Sequence, residues 1–253
     1  MKIIKKILKN IVYFFYNLSA VFIEKDNQAV VLMYHSIDDN DNFFTVKTNF
    51  FSKQMAYLVG QGYNVVPLKK LRDYLADGLI PPKTVAVTFD DGYEDNYLNA
   101  WPILKKYNLP AAVFVPVALV GKTVTARNGA KLSMLTYGQM DEMVKSGLVE
   151  IGSHGYNHKK LSGLSRAEID YELSQSKKAF SSELNRATDY LAYPFGSLTE
   201  TVKTATAKLY ALAFTVKPGI IDCQTDRFAL KRNSIDSRVS FYQFKHIVQY
   251  GRI

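Results

Sequence analysis

The run Thr84-Val85-Ala86-Val87-Thr88-Phe89-Asp90-Asp91-Gly92-Tyr93 carries most of what this chain reveals about its fold. Its first six residues are β-branched or apolar, the composition of a buried strand. Two carboxylates stand at the strand's end, and the glycine after them permits a sharp turn. Neighbouring side chains on a strand face opposite ways, so two adjacent aspartates serve one site only if the chain bends between them. Such a bend offers one carboxylate to a metal ion and leaves the other as a base.

A second run, Ser153-His154-Gly155-Tyr156-Asn157-His158, holds two of the chain's four histidines. Positions four apart are neighbours on a helical turn, and that is the arrangement expected for His154 and His158. A carboxylate and two neutral imidazoles leave coordination positions for water and substrate. Asp91, His154 and His158 are therefore the candidate metal ligands. The donor set suits a divalent ion, zinc first, with cobalt, nickel or iron tolerated. A cation of this kind lowers the pKa of a water towards about 7. Asp90, beside Asp91, is the candidate base for that water.

The remaining candidates come from other strand ends. His35, in Met33-Tyr34-His35-Ser36, stands where a general acid is needed to protonate a leaving amine. Tyr193, Pro194 and Phe195 lead out of another strand, and the backbone N–H groups past the proline are candidates for an oxyanion site. Phe195 could instead wall off an acyl methyl group. His246, in an amphipathic segment at 241–250, reads as a surface residue.

Strand-like segments cover residues 29–34, 63–66, 84–89, 111–115, 149–152, 190–193 and 211–216, with a weaker one at 228–230. Helix-like segments lie between them at 50–61, 68–76, 96–107, 136–146, 166–184 and 199–210. Ser165 and Glu168 have capping-box spacing, and Gly147 ends the helix before it. This alternation predicts an α/β fold with a parallel sheet, and seven or eight strands predict a distorted or incomplete (β/α) barrel. Active sites of such barrels gather at the C-terminal strand ends. His35, Asp90 with Asp91, His154, and Pro194-Phe195-Gly196 follow the first, third, fifth and sixth strands. Residues 118–133 are polar and aperiodic, the pattern of a surface loop flanking the cleft.

The 253 residues, 47 % of them apolar, fit one large domain. A single cysteine, Cys223, excludes an intrachain disulfide framework. The net charge of +9 fits a basic soluble surface, an anionic glycan or an acidic membrane. No basic patch interleaved with aromatics and no nucleic-acid motif is present, so nucleic acid is not an expected partner. Residues 1–27 form a separate basic segment, in which Lys2, Lys5, Lys6 and Lys9 alternate with Ile3, Ile4, Ile7, Leu8 and Ile11. Asn10 and Asn17 interrupt it, and it falls short of the roughly 20 apolar residues of a spanning helix. No small-residue cleavage site follows it. The expectation is an amphipathic helix lying on an anionic membrane surface, the alternative a helix packed on the domain at 28–253.

Three motifs, Thr88-Phe89-Asp90-Asp91-Gly92, His154 with His158, and Ala192-Tyr193-Pro194-Phe195-Gly196, resemble those of the polysaccharide deacetylases of the NodB-homology type, carbohydrate esterase family four. The resemblance covers about residues 30–235. It implies a distorted (β/α) barrel, a divalent metal on Asp91, His154 and His158, and hydrolysis of N-acetyl groups on glycans. By the same resemblance Asp90 is the base, and the Phe195 N–H helps to hold the oxyanion. Leu32-Met33-Tyr34-His35-Ser36-Ile37 resembles the branch related to poly-N-acetylglucosamine deacetylases, in which the acid histidine comes from the start of the domain. Two departures stand out. Ala192 replaces an arginine that orients the catalytic aspartate, and Arg232 is the candidate substitute. The usual C-terminal Leu-His-Asp motif is absent, which leaves the acid to His35.

The expected activity is N-deacetylation of an amino sugar in a bacterial envelope glycan, lipid-linked sugar or exopolysaccharide. The expected location is the cell envelope, membrane-associated, with either face of the inner membrane open. Removal of a formyl amide or acetyl ester uses the same chemistry and remains an alternative. A silent glycan-binding protein is the other, against which the intact Asp90, Asp91, His154, His158 and His35 argue.

Overall fold

In the structure, a computed structural model, residues 27–251 apart from residue 127 are described. The amphipathic segment expected at the N-terminus lies outside these residues. No helix among the described residues is long and apolar enough to cross a membrane.

The strands in chain order are β1 (Gln28–Tyr34), β2 (Ser36–Ile37), β3 (Thr45–Val46), β4 (Asn64–Val65), β5 (Thr84–Phe89), β6 (Ala111–Val115), β7 (Thr123–Thr125), β8 (Lys131–Ser133), β9 (Val149–Ser153), β10 (Tyr190–Ala192), β11 (Leu212–Phe214), β12 (Ile221–Asp222) and β13 (Asn233–Ser234). The helices are α1 (Thr48–Gly60), α2 (Leu68–Asp77), α3 (Trp101–Tyr107, preceded by a π-turn at Asn96–Ala100), α4 (Tyr137–Lys145), α5 (Arg166–Leu184), α6 (Glu200–Ala207) and α7 (Phe241–Tyr250). The capping box of Ser165 and Glu168 opens α5.

The main sheet runs β11-β10-β9-β6-β5-β1-β12, with β4 beside the start of β5 and β13 beside the end of β1. Every pairing in it is parallel except that of β12 with β1. The sheet curls into the distorted (β/α) barrel that the alternation predicts. Its closure is irregular. Residues 227–230 run beside β11 through bonds such as Leu230 N–H to Ala213 O (3.0 Å) and Thr215 N–H to Leu230 O (2.8 Å), with one bridge between Phe214 and Leu230. The chain then crosses to β1 and pairs there as β13. The weak strand expected at 228–230 is thus a single bridge, and β12 and β13 are additions that their two-residue length hid from the sequence.

Side-chain alternation sorts the strands into two faces. Val30, Leu32, Val85, Val87, Val113 and Val115 pack outward against α1, α3, α4 and α7. Val31, Ala86, Ala112, Phe114, Ala192 and Phe214 form the interior cluster, joined by Leu68, Leu71 and Leu75 of α2. Continuing the inward face of β5 one step past Ala86 and Thr88 reaches Asp90, and past Gly152 on β9 reaches His154. The catalytic candidates are therefore the upper rung of the barrel's own interior.

Two sequence expectations change here. A short 3₁₀ turn at Val117–Leu119 leads into residues 118–133, whose described part holds the β7–β8 hairpin, in which Val124 pairs with Leu132, rather than an aperiodic loop. His246 is 8 % exposed and lies on the buried face of α7, because the apolar positions Phe244, Ile247 and Val248 turn that face inward.

Gly152 of β9 sits directly beneath an aromatic ring. A Cβ there would run into the ring of Phe114, which is buried and packs against Phe214 at 5.5 Å. Gly152→Ala is expected to destabilise the protein by about 1–3 kcal/mol through overpacking, read as a lower denaturation midpoint in urea.

Candidate active site

The bend inferred between the two aspartates is present. Asp90 ends the inward row of β5, with its N–H bonded to Tyr34 O at 2.9 Å. Asp91 then has φ 71° and Gly92 φ 71°, so the chain leaves the strand abruptly. A side chain at Gly92 would press on Val115 of the neighbouring strand, at 2.9 Å. Glycine is needed there for both reasons.

Asp91 faces the two imidazoles. Its Oδ1 is 3.5 Å from His154 Nε2 and 3.2 Å from His158 Nε2. One ligand atom from each residue falls within 4.8 Å of the others. The second carboxylate oxygen, Oδ2, accepts the Tyr93 hydroxyl at 3.0 Å, which fixes the carboxylate's rotation. Tyr93 in turn stacks on Phe44 at 5.5 Å. His154 Nδ1 lies 2.7 Å from Ala192 O, and a carbonyl only accepts, so Nδ1 carries the proton. In the neutral ring Nε2 is then the free lone pair, turned toward Asp91 and His158.

His154 and His158 do not share a helical turn. They bracket a loop after β9, with His158 at φ 57°, and their ring centroids are 4.9 Å apart. Gly155, at φ 75°, breaks any helix between them.

The electrostatics favour a cation at this point. Burial pushes the His154 imidazole down, but the Asp90 and Asp91 carboxylates more than offset this and raise it. Burial likewise pushes Asp91 up, yet hydrogen bonds from His154 and His158 hold it well below the usual carboxylate range. A carboxylate and two imidazoles, His154 with its tautomer locked, fit a divalent ion.

Asp90 is paired instead with Arg232. The guanidinium grips it bidentately, NH1 to Oδ1 and NH2 to Oδ2, both at 2.6 Å. Arg232 Nε donates to Thr215 O (2.9 Å), NH1 also reaches Thr88 Oγ1 (3.3 Å), and the Phe114 and Phe214 rings lie 5.5 and 5.9 Å away. Arg232 is 0 % and Asp90 2 % exposed. Burial alone would raise Asp90; Arg232, followed by His154, outweighs it and holds the carboxyl below its ordinary range.

All of this opens into a cleft of about 690 Å³ lined by His35, Asp90, Asp91, His154, His158 and Phe195. The strand end that carries His35 is held by the π-turn: Asn96 Nδ2 donates to His35 O (2.8 Å), while Asp95 accepts the Ser36 hydroxyl (2.6 Å) and the Ile37 N–H (3.0 Å). Phe195 has φ 59°, is 63 % exposed and lies 4.8 Å from the His158 ring. Its neighbours do not reach the cleft. Ala192 faces the interior, so Tyr193 faces outward by alternation, packing against Leu161, Leu173 and Val202 while its hydroxyl donates to Phe228 O at 2.9 Å. The Tyr193 N–H is spent on Phe214 O, and Pro194 is buried against the Gly155 loop. Of the three candidates for an oxyanion site, the structure brings only Phe195 to it.

Sequence reading missed Tyr93, although it lies two residues past Asp91, because an aromatic after a turn carries no polar signature. It also missed Asp236, which lines the cleft and binds the Arg238 guanidinium through Oδ1 at 3.1 Å.

The polysaccharide deacetylase family model matches residues 78–213. A poly-β-1,6-N-acetyl-D-glucosamine N-deacetylase of Staphylococcus aureus is 30 % identical over 199 residues, covering 70 % of this chain and 67 % of its own. The Streptococcus pyogenes deacetylase PplD, solved with acetate, superposes with a TM-score of 0.77 and 29 % identity over 90 % of this chain and 100 % of its own. IcaB from Ammonifex degensii gives 0.76 and 26 %, covering 90 % and 98 %. With the motifs in place around one cleft on the shared barrel, the chain belongs to the polysaccharide deacetylase family.

Proposed function

We propose that this protein is a divalent-metal-dependent N-deacetylase acting on an N-acetylated amino-sugar glycan or glycolipid of the bacterial envelope. The observation that carries the reading is the pairing at the cleft floor: an Asp91–His154–His158 donor set beside a carboxylate, Asp90, that Arg232 keeps ionised. The relative named for poly-β-1,6-N-acetyl-D-glucosamine supports the glycan class, and the acetate in PplD supports the acyl group. Zinc is the ion we assign to Asp91, His154 and His158. The net charge of +9 and the lysine-rich segment at 1–27 support attachment to an anionic membrane surface.

When bound, a divalent ion there supplies Lewis acidity to an amide carbonyl and to the attacking water. The side chains divide the proton work. Asp90 accepts the proton of the water, and Arg232 fixes the carboxylate's angle while stabilising its charge. His35, on the same cleft wall, delivers a proton to the amine as the C–N bond breaks. The Phe195 N–H, for which no acceptor among the described residues is found, is the donor assigned to the tetrahedral oxyanion. Water and amide thus become acetate and a free amine.

Acetate and free-amine release from β-1,6-linked N-acetylglucosamine oligomers tests the activity, comparing metal-free protein with protein given zinc, cobalt or nickel. Metal-dependent release of both products in equal amounts is expected; metal bound without release would remove this acyl group or this glycan. Asp90→Asn and His35→Ala are each expected to lower kcat by about 10²–10⁴-fold while zinc affinity stays near wild type. A variant that retains turnover would lose its assigned role.

Arg232→Met strips the cation from a buried carboxylate and is expected to cost about 3–5 kcal/mol at neutral pH. The sign with pH is distinctive. In the wild type Asp90 is held low, so its contribution is present above about pH 4 and lost as pH falls. In the variant the largest opposition to burial is gone and only the weaker influence of His154 and His35 remains, so the carboxyl rises and the deficit shrinks on acidification because a protonated Asp90 needs no partner. Urea unfolding at pH 7 and pH 4.5 reads this directly.

A further inference from the structure

The two imidazoles stand at either end of a loop, and one buried carboxylate outside the cleft holds that loop. Glu172, on α5, is 1 % exposed. Its Oε2 accepts the backbone N–H of Tyr156 (3.0 Å) and of Asn157 (2.7 Å), and its Oε1 accepts Asn157 Nδ2 (2.8 Å). The carboxylate's charge is therefore met by three donors from consecutive residues between His154 and His158. Charge-assisted bonds of this kind are the strong ones, and a buried carboxylate cannot give them up without leaving itself and the amides unpaired.

The rest of the loop is pinned to the same helix and to the strand beside it. Ser176, one turn beyond Glu172, meets Ser153 Oγ at 2.7 Å, and that oxygen also takes the Gly155 N–H at 3.1 Å. His154 N–H bonds Val115 O (3.0 Å), and Ala118 N–H bonds Tyr156 O (2.8 Å). Nothing in this set touches His158 directly. Its position follows from Asn157: turning two successive amides onto one carboxylate fixes the backbone just before the left-handed residue His158, and so fixes where its ring returns.

We propose that Glu172 is a positioning residue for metal binding, clamping the 155–157 loop so that His154 and His158 present their Nε2 atoms to one point before any cation arrives. This rests on the assignment of Asp91, His154 and His158 as ligands. Without the clamp, the cation must itself order the loop, and affinity falls by that cost.

Zinc affinity is measured by competition titration on the full chain for the wild type, Glu172→Leu and Glu172→Gln, with amide hydrogen exchange of the metal-free wild type alongside. Loss of an outer partner of a metal ligand typically weakens binding 10–100-fold, and that range is expected for Glu172→Leu. Glu172→Gln is expected to fall between it and the wild type. Its amide oxygen still serves the Tyr156 and Asn157 N–H groups, and Asn157 can reverse its own amide to match the new NH₂. A purely structural role would lower the melting temperature of both variants and leave the zinc affinity of folded protein unchanged; that result overturns the proposal. So does fast exchange of the Tyr156 and Asn157 amides in the wild type, a test that needs no variant to fold. If the wild type takes up no zinc while both amides are protected, the ligand assignment has failed and the proposal falls with it.

Discussion

Asp90 and Arg232 place a full charge pair inside the barrel, and the rest of the structure is arranged around that fact. Taking two ions out of water costs several kcal/mol each, and the cost is met only when geometry is good and every remaining donor is used. The pair comes close to both conditions: two 2.6 Å bonds join the partners, and Thr215 O and Thr88 Oγ1 take two further N–H groups, four of the guanidinium's five in all. Small interior residues, Ala86, Ala112, Gly152 and Ala192, leave the volume that the Phe114 and Phe214 rings and the guanidinium occupy. The irregular closure of the barrel between β11 and β1 is the path by which Arg232 enters. Leu230 belongs to the interior cluster, and Arg232, two residues further along the extended chain, keeps the same inward face.

The pair also separates the roles of two adjacent carboxylates. Asp90 is engaged on both oxygens by Arg232, whereas Asp91, one residue on and turned by its positive φ, faces two imidazoles and a tyrosine hydroxyl. Identical side chains thus acquire different partners from a single backbone bend. Glu172 does the corresponding work on the other side of the site, where the chain between the two histidines has no regular structure to hold it.

Much of this was legible because it depends on local pattern. The strands at Thr84–Phe89 and Ala111–Val115 and the helix at Arg166–Leu184 follow from apolar runs and a capping box, and their bounds match the sequence reading. The inference that two adjacent aspartates require a bend is stereochemistry and needed no fold. Placing Arg232 opposite Asp90 needed the resemblance, because 142 residues separate them and spacing carries no information at that range. What stayed hidden depended on which way a side chain faces or on very short pairings. Tyr193 was assigned near the oxyanion on sequence proximity to Phe195, but alternation turns it into the helix layer. His154 and His158 have helical spacing, yet Gly155 and a left-handed His158 make the segment a loop. β12 and β13 are too short for any periodicity to register, and the burial of His246 depends on the docking of a whole helix.

The central claim is that one divalent ion is held by Asp91, His154 and His158 while Asp90 remains on Arg232. Anomalous diffraction from crystals of the zinc-loaded protein, recorded on both sides of the zinc absorption edge, tests it most directly. The account predicts a single strong peak at bonding distance from those three side chains, with the Asp90–Arg232 pair intact. A peak bonded to Asp90, or zinc located only away from the three, would contradict it.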